Sequence, residues 1–143
     1  MGIGTAPAPW NSLVAEMMVR DYPASLAWWT GPMGFAQVFE RPAQKLAFLQ
    51  HPDGAQVMIY ERDGDWEVGP MEPPFGRGAV IQVFVADVTA AHARFAGLPL
   101  YVDLREKWHD WGDRLGGQHE FLVQDPDGYL VMVAQHIGTR PLN

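Results

Sequence analysis

The stretch 124-QDPDGYLVMVAQ-135 reads as a tight turn that delivers the chain into a buried strand. In x-Pro-Asp-Gly, Pro presets the first central residue of a type I turn. Gly takes the left-handed position that makes a bulge, so the loop has three residues. That predicts Asp125 opposite Tyr129 and Leu122 opposite Met132. One face then carries Phe121, Val123, Tyr129, Val131 and Val133, apolar enough to lie beneath a helix. The other carries Gln118, Glu120, Leu122, Leu130, Met132 and Ala134, a mixture suited to lining a cleft.

The same hairpin occurs twice, because 52-PDGAQVMI-59 repeats 126-PDGYLVMV-133 with Pro, Asp, Gly, Val and Met in matching places. The turn rule sends Leu46, Phe48, Gln50, Gln56, Met58 and Tyr60 of the first copy to a cleft, with Phe48 and Tyr60 opposite each other as walls.

Working outward, 13-LVAEMMV-19 has strand composition, and Asp21 is an N-cap for a helix over 23-PASLAWWTGPMG-34 with Pro23 in its first turn. Strands follow at 35-FAQVFE-40, 45-KLAFLQ-50 and 55-AQVMIYE-61. After 62-RDGDWEVGPMEPPFGRG-78, rich in Gly, Pro and acid and hence an irregular connection, the pattern restarts. Segment 79-AVIQVFVA-86 is a strand, Asp87 caps a helix over 88-VTAAHARFAG-97, and strands follow at 98–103, 118–124 and 129–135. A long polar loop, 104-LREKWHDWGDRLGG-117, interrupts them.

The fold class is therefore α+β: tandem βαβββ repeats forming a curved, open mixed β-barrel or cleft with the helices outside. The divisions are an N-terminal segment 1–12, a first unit 13–61, a connecting loop 62–78, a second unit 79–137 and a tail 138–143.

Composition narrows the function. The 143 residues suffice for a buried core, and the absence of cysteine excludes a disulfide framework, a thiolate metal site and a Cys nucleophile, and suits a cytoplasmic location. A formal charge of −7 without any basic run argues against a nucleic-acid partner. No apolar run reaches the roughly eighteen residues of a membrane span, and MGIGTAPAPWNS lacks the features of a secretory leader.

These features together resemble the vicinal oxygen chelate superfamily, which includes glyoxalase I, extradiol dioxygenases and the bleomycin resistance proteins. The resemblance covers residues 13–138. It rests on the strand leading into 19-VRDYPASLAWW-29, on 31-GPMGF-35, on the duplicated order and on 121-FLVQDPDGYLVMVAQ-135. In the metal-dependent members, four His, Glu or Gln ligands occupy equivalent places on the first and last strands of each unit. Carried over, those places fall on Val14, Met58, Ile81 and Met132, none of them a donor for a hard cation. A shift of register brings Glu16, Gln56 or Gln82 into play but no histidine.

Without a metal, the resemblance points to the bleomycin resistance type. It implies a homodimer without cofactor that sequesters a bleomycin-type or other planar cationic antibiotic in grooves at the subunit interface and does no chemistry on it. Aromatic side chains stack on flat heterocycles and carboxylates neutralise the attached cations. The candidate ligand-binding residues are Phe48, Tyr60, Trp66, Trp108, Trp111 and Glu120. The alternative is a metal-dependent glyoxalase- or dioxygenase-like enzyme with displaced ligands, drawing on Glu16, Glu120 and His119. A third reading has the cleft filled by Met58, Met132, Leu122 and aromatics, with the protein acting only as a dimeric partner.

Several residues carry two readings each. Adjacent on one helix, Trp28 and Trp29 cannot both face the sheet, so one is core and the other a groove or interface residue. Trp66, among Asp63, Asp65 and Glu67, is either a stacking surface beside negative charge or an anchor for its loop. Trp108 and Trp111 belong to a functional loop or a dimer contact. Glu120 points inward and must meet Arg105, Arg114, water or a cationic ligand, since burying it unpaired is costly. His119 reads as a satisfied structural histidine, and His51, His92, His109 and His136 have no metal-site spacing.

Overall fold

The computed structural model describes residues 1–143. Its elements run β1 (Ile3–Gly4), β2 (Ala15–Val19), α1 (Tyr22–Thr30), β3 (Ala36–Arg41), a 3-10 turn (Pro42–Gln44), β4 (Leu46–Gln50) and β5 (Gln56–Glu61). The second half continues with β6 (Val80–Phe84), α2 (Val88–Ala93), β7 (Val102–Asp110), β8 (Leu115–Gln124) and β9 (Leu130–Arg140). Strand, helix and three strands recur, and each unit makes its own sheet. The first orders as β1-β3-β4-β5-β2 and the second as β6-β9-β8-β7, with β2 parallel to β5 and β6 parallel to β9. The sheets remain open and separate; they do not close into a barrel.

Both helices start where the caps predict. Asp21 accepts from Ala24 N and Asp87 from Ala90 N, each at 3.0 Å, satisfying one orphan donor apiece. The second helix is shorter than its sequence pattern, giving way after Ala93 to tight turns that close at Gly97 with φ +79°.

The hairpin registers follow the turn chemistry. Asp125 N donates to Tyr129 O, Leu122 pairs with Met132, and in the first copy Phe48 pairs with Met58. Leu46, not Phe48, is opposite Tyr60, so Phe48 and Tyr60 are diagonal neighbours rather than facing walls. The apolar faces lie beneath the helices and merge into one core. Met17, Val19, Trp29, Phe35, Leu49 and Ile59 from the first unit meet Val83, Val88, Phe95, Phe121, Val123 and Val131 from the second. Trp29 is the core member of the tryptophan pair. Trp28 packs edge-on against Phe95 and lines a surface groove with Leu98, Leu100 and Tyr101.

The expected loop needs correcting. Segment 104–117 is not a loop: β7 and β8 pair from Arg105 with Glu120 to Asp110 with Leu115, leaving only a tight turn at Trp111–Arg114. The reason lies in Gly116 and Gly117, which look like loop residues but serve as flat strand positions beneath tryptophan rings. A Cβ on Gly116 would sit 2.0 Å from Trp111 and one on Gly117 2.7 Å from Trp108. The N-terminal segment 1–12 is tied to the first sheet. Ile3–Gly4 adds an edge strand to β3, and Gln56 holds Asn11 N and Pro9 O at 2.8 and 2.9 Å.

Candidate functional site

Each sheet has a helix-covered face and an open one, and the open faces carry the candidate chemistry. On the first sheet, Trp10 folds over one end, its ring 4.7 Å from that of Phe48, which in turn stacks on Phe39 at 5.2 Å. Phe48 is therefore fully buried and serves as a filled wall, out of reach of a ligand. The other end stays open as a cleft of about 320 Å³ lined by Glu16, Arg41, Met58, Tyr60, Asp65 and Trp66, among others, all from the first half of the chain.

The loop at its mouth is tightly tied. Tyr60 donates its hydroxyl to Asp63, Asp65 N donates to the same carboxylate at 2.9 Å, Gly64 N donates to Glu67, and Arg62 pairs with Glu67 at 2.6 Å. This cage presents Trp66 at φ +61°, a left-handed conformation costly for a bulky residue, with 73% of its surface exposed. The Tyr60 hydroxyl is pushed up to about 12, first by its bond to Asp63, then by burial and by the charges of Asp63, Asp65 and Glu16. Its bond to Tyr60 in turn holds Asp63 below the usual carboxylate range. The cleft thus joins an exposed indole, a neutral phenol and the carboxylates of Glu16 and Asp65, with the Arg41 guanidinium also in its lining; an indole beside carboxylates can hold a flat cation.

The second sheet's open face is different. Glu120 is 1% exposed, and its Oε2 accepts from Arg105 Nε and Nη2 at 3.1 and 2.9 Å while Oε1 accepts from Gln118 Nε2 at 2.7 Å. His109 Nε2 stands 3.6 Å from the same Oε1. Burial pushes the Glu120 carboxyl up, but the bonds from Gln118 and Arg105 and the Arg105 charge outweigh it and hold the group below its ordinary value. Glu120 is thereby already partnered; of the two arginines considered, Arg105 is its partner, while Arg114 pairs with Asp113.

The two loop tryptophans part company. Trp111 covers Gly116 on the face of Gln118 and Glu120, near His136 at 6.1 Å. Trp108 covers Gly117 on the opposite face, donates to Glu106 and lies under the Arg140 guanidinium at 4.1 Å. His119 shares that outer face, bonded to Glu106 at 3.2 Å and partly exposed beyond the reach of α2. Of the six candidates, Tyr60 and Trp66 therefore share one cleft and Trp111 and Glu120 share the other sheet's open face. Phe48 is buried and Trp108 faces away. Trp10 and Phe84, the latter stacked on His136 with ring centroids 4.5 Å apart, were not singled out from sequence. A lone Trp in a segment of small residues was the available signal for the first.

The parallel ladders decide which residues occupy the ligand places of the metal-dependent pattern. Met58 has Glu16 beside it, not Val14, and Met132 has Gln82 beside it, not Ile81, which turns into the core. The set becomes Glu16, Met58, Gln82 and Met132: two oxygen donors and two thioethers. Thioethers are poor partners for hard divalent ions, and no three His, Asp or Glu side chains converge anywhere in the chain. These residues do not fit the metal of the catalytic members.

Two βαβββ units, each with a helix-backed sheet and an open face, define a paired-module fold. Residues 12–133 match the model of the Glyoxalase/Bleomycin resistance protein/Dioxygenase superfamily, and the chain belongs to that superfamily. Among solved structures, TioX from Micromonospora sp. ML1 is 24% identical over 90% of this chain and 100% of its own, with a TM-score of 0.66. A glyoxalase/bleomycin resistance protein/dioxygenase from Alicyclobacillus acidocaldarius is 18% identical, covering 91% and 94%, with a TM-score of 0.62. Lactoylglutathione lyase from Agrobacterium tumefaciens is 18% identical, covering 87% and 92%, with a TM-score of 0.56. These likenesses establish the fold. No protein of curated function matches the chain.

Proposed function

We propose that this protein is a sequestering member of its superfamily, of the bleomycin resistance kind: a cytoplasmic homodimer that binds a planar cationic small molecule, such as a bleomycin-type antibiotic, and leaves it chemically unchanged. The observation that carries the reading is Trp66, held exposed in a left-handed conformation by a cage of hydrogen bonds beside Tyr60, Glu16 and Asp65. A flat heterocycle stacks on the indole while the carboxylates take its charge. The mixed thioether and oxygen set at Glu16, Met58, Gln82 and Met132 favours binding over metal-assisted catalysis.

The test is an equilibrium titration with bleomycin and with ethidium as a simple planar cation. Saturable binding is expected, weakened about three- to thirtyfold by Trp66→Ala, the range for removing a cation–π interaction from a partly desolvated site. Absence of saturable binding of either compound refutes the reading.

A further inference from the structure

The second sheet's open face has the opposite charge preference from the Trp66 cleft. Strand register puts Arg105, Lys107 and His109 of β7 on the same face as Gln118 and Glu120 of β8 and His136 of β9. The one carboxylate among them is buried and accepts from both Arg105 and Gln118, so it offers nothing to an incoming cation. Its effect is to orient Arg105. That guanidinium commits Nε and one Nη2 hydrogen to Glu120, leaving its other terminal N–H groups unused by Glu120 on a side chain 41% exposed. Lys107, His109 and His136 are exposed around it. Flat surface adjoins this charge: Phe84 stacks on His136 with 11° between planes, and Trp111 is half exposed beyond.

We infer that this face is an anion subsite, built to take a planar aromatic ligand bearing a carboxylate or similar oxyanion, with the ring against Trp111, Phe84 and His136 and the anion on Arg105 and Lys107. A guanidinium fixed by a buried carboxylate is pre-organised for such a partner, since it is already ordered before the ligand arrives. Tyr60 and Trp66 lie on the other sheet, so this surface stands or falls separately from the cation cleft.

The experiment titrates 2-naphthoate, 2-naphthylmethanol and 2-(aminomethyl)naphthalene into the full chain at low salt, with amide chemical shifts locating each. Naphthoate is expected to bind tightest of the three on the second sheet, shifting Gly116, Gln118 and His136, and to persist in Trp66→Ala. Lys107→Gln, which touches none of the Glu120 bonds, is expected to weaken it about fivefold, the size of one partly exposed charge interaction. The proposal is overturned if the ammonium compound prefers this face, if Lys107→Gln leaves naphthoate unchanged, or if Trp66→Ala abolishes naphthoate binding.

Discussion

Asp53 and Asp127, equivalent residues in the two Pro-Asp-Gly turns, each cap the opposite half of the molecule. Asp53 Oδ2 accepts from Ala86 N at 2.8 Å, just ahead of the α2 cap Asp87, and Asp127 Oδ1 accepts from Arg20 N at 3.1 Å, just ahead of the α1 cap Asp21. The duplicated hairpin is therefore also the clamp between the repeats. The copies have diverged in weight: Asp127 is 3% exposed and also accepts from Arg20 Nε at 2.8 Å, whereas Asp53 is partly solvated. Asp127→Ala is expected to cost about 2–3 kcal/mol and Asp53→Ala about 1, measured by urea unfolding. Equal costs would contradict the division.

Asp125, buried behind the same turn, holds Asp127 N and Tyr129 N at 3.0 and 2.9 Å. Burial first, opposed by those bonds and reinforced by the charge of Asp127, lifts its carboxyl to about 6. A raised carboxyl favours the folded state while protonated, so the contribution is complete below about pH 4 and is lost as pH rises through about 6. A two-unit shift corresponds to about 3 kcal/mol. In Asp125→Asn that fall in stability between pH 4 and 7 should vanish, as read from denaturation midpoints across the range. An unchanged slope would exclude Asp125 as its source.

The Arg105–Glu120 pair is lopsided, because one partner is exposed and the other buried. Removing the arginine strands a carboxylate in the interior, while neutralising the carboxylate leaves an arginine that can reach water. Arg105→Met is expected to cost about 2–4 kcal/mol and Glu120→Gln less than about 1, with the double variant between them. Thermal unfolding of the three variants checks the order.

Gly116 and Gly117 carry the rings of Trp111 and Trp108 on opposite faces of one strand. Gly116→Ala should expel Trp111, shifting its emission to the red and destabilising the hairpin by about 1–2 kcal/mol. Gly117→Ala should do the same to Trp108 and loosen Arg140 from its ring. Emission from Trp111→Phe and Trp108→Phe backgrounds assigns each change, and spectra that fail to move would contradict the packing.

The sequence by itself determined the repeat, the hairpin registers, both helix caps and the division of the strands flanking the two Pro-Asp-Gly turns into a helix side and an open side. All of these arise from interactions within a few residues: turn dihedrals, side-chain alternation and capping bonds. Glu120 could likewise be read as a buried acid in need of a partner, because strand alternation alone turns it inward. What faces what across longer distances was decided only by the tertiary structure. Parallel pairing, which no turn dictates, set Glu16 beside Met58 and Gln82 beside Met132. A glycine pair that reads as a loop became a strand because two tryptophans fill the missing side chains, and that sent Trp108 and Trp111 to opposite faces. Trp10 closed over Phe48 from a segment without regular periodicity, leaving the cleft at Trp66 as the open part of its sheet. Such pairings join residues far apart in the chain, where their energy depends on a geometry that exists only once both sheets have formed.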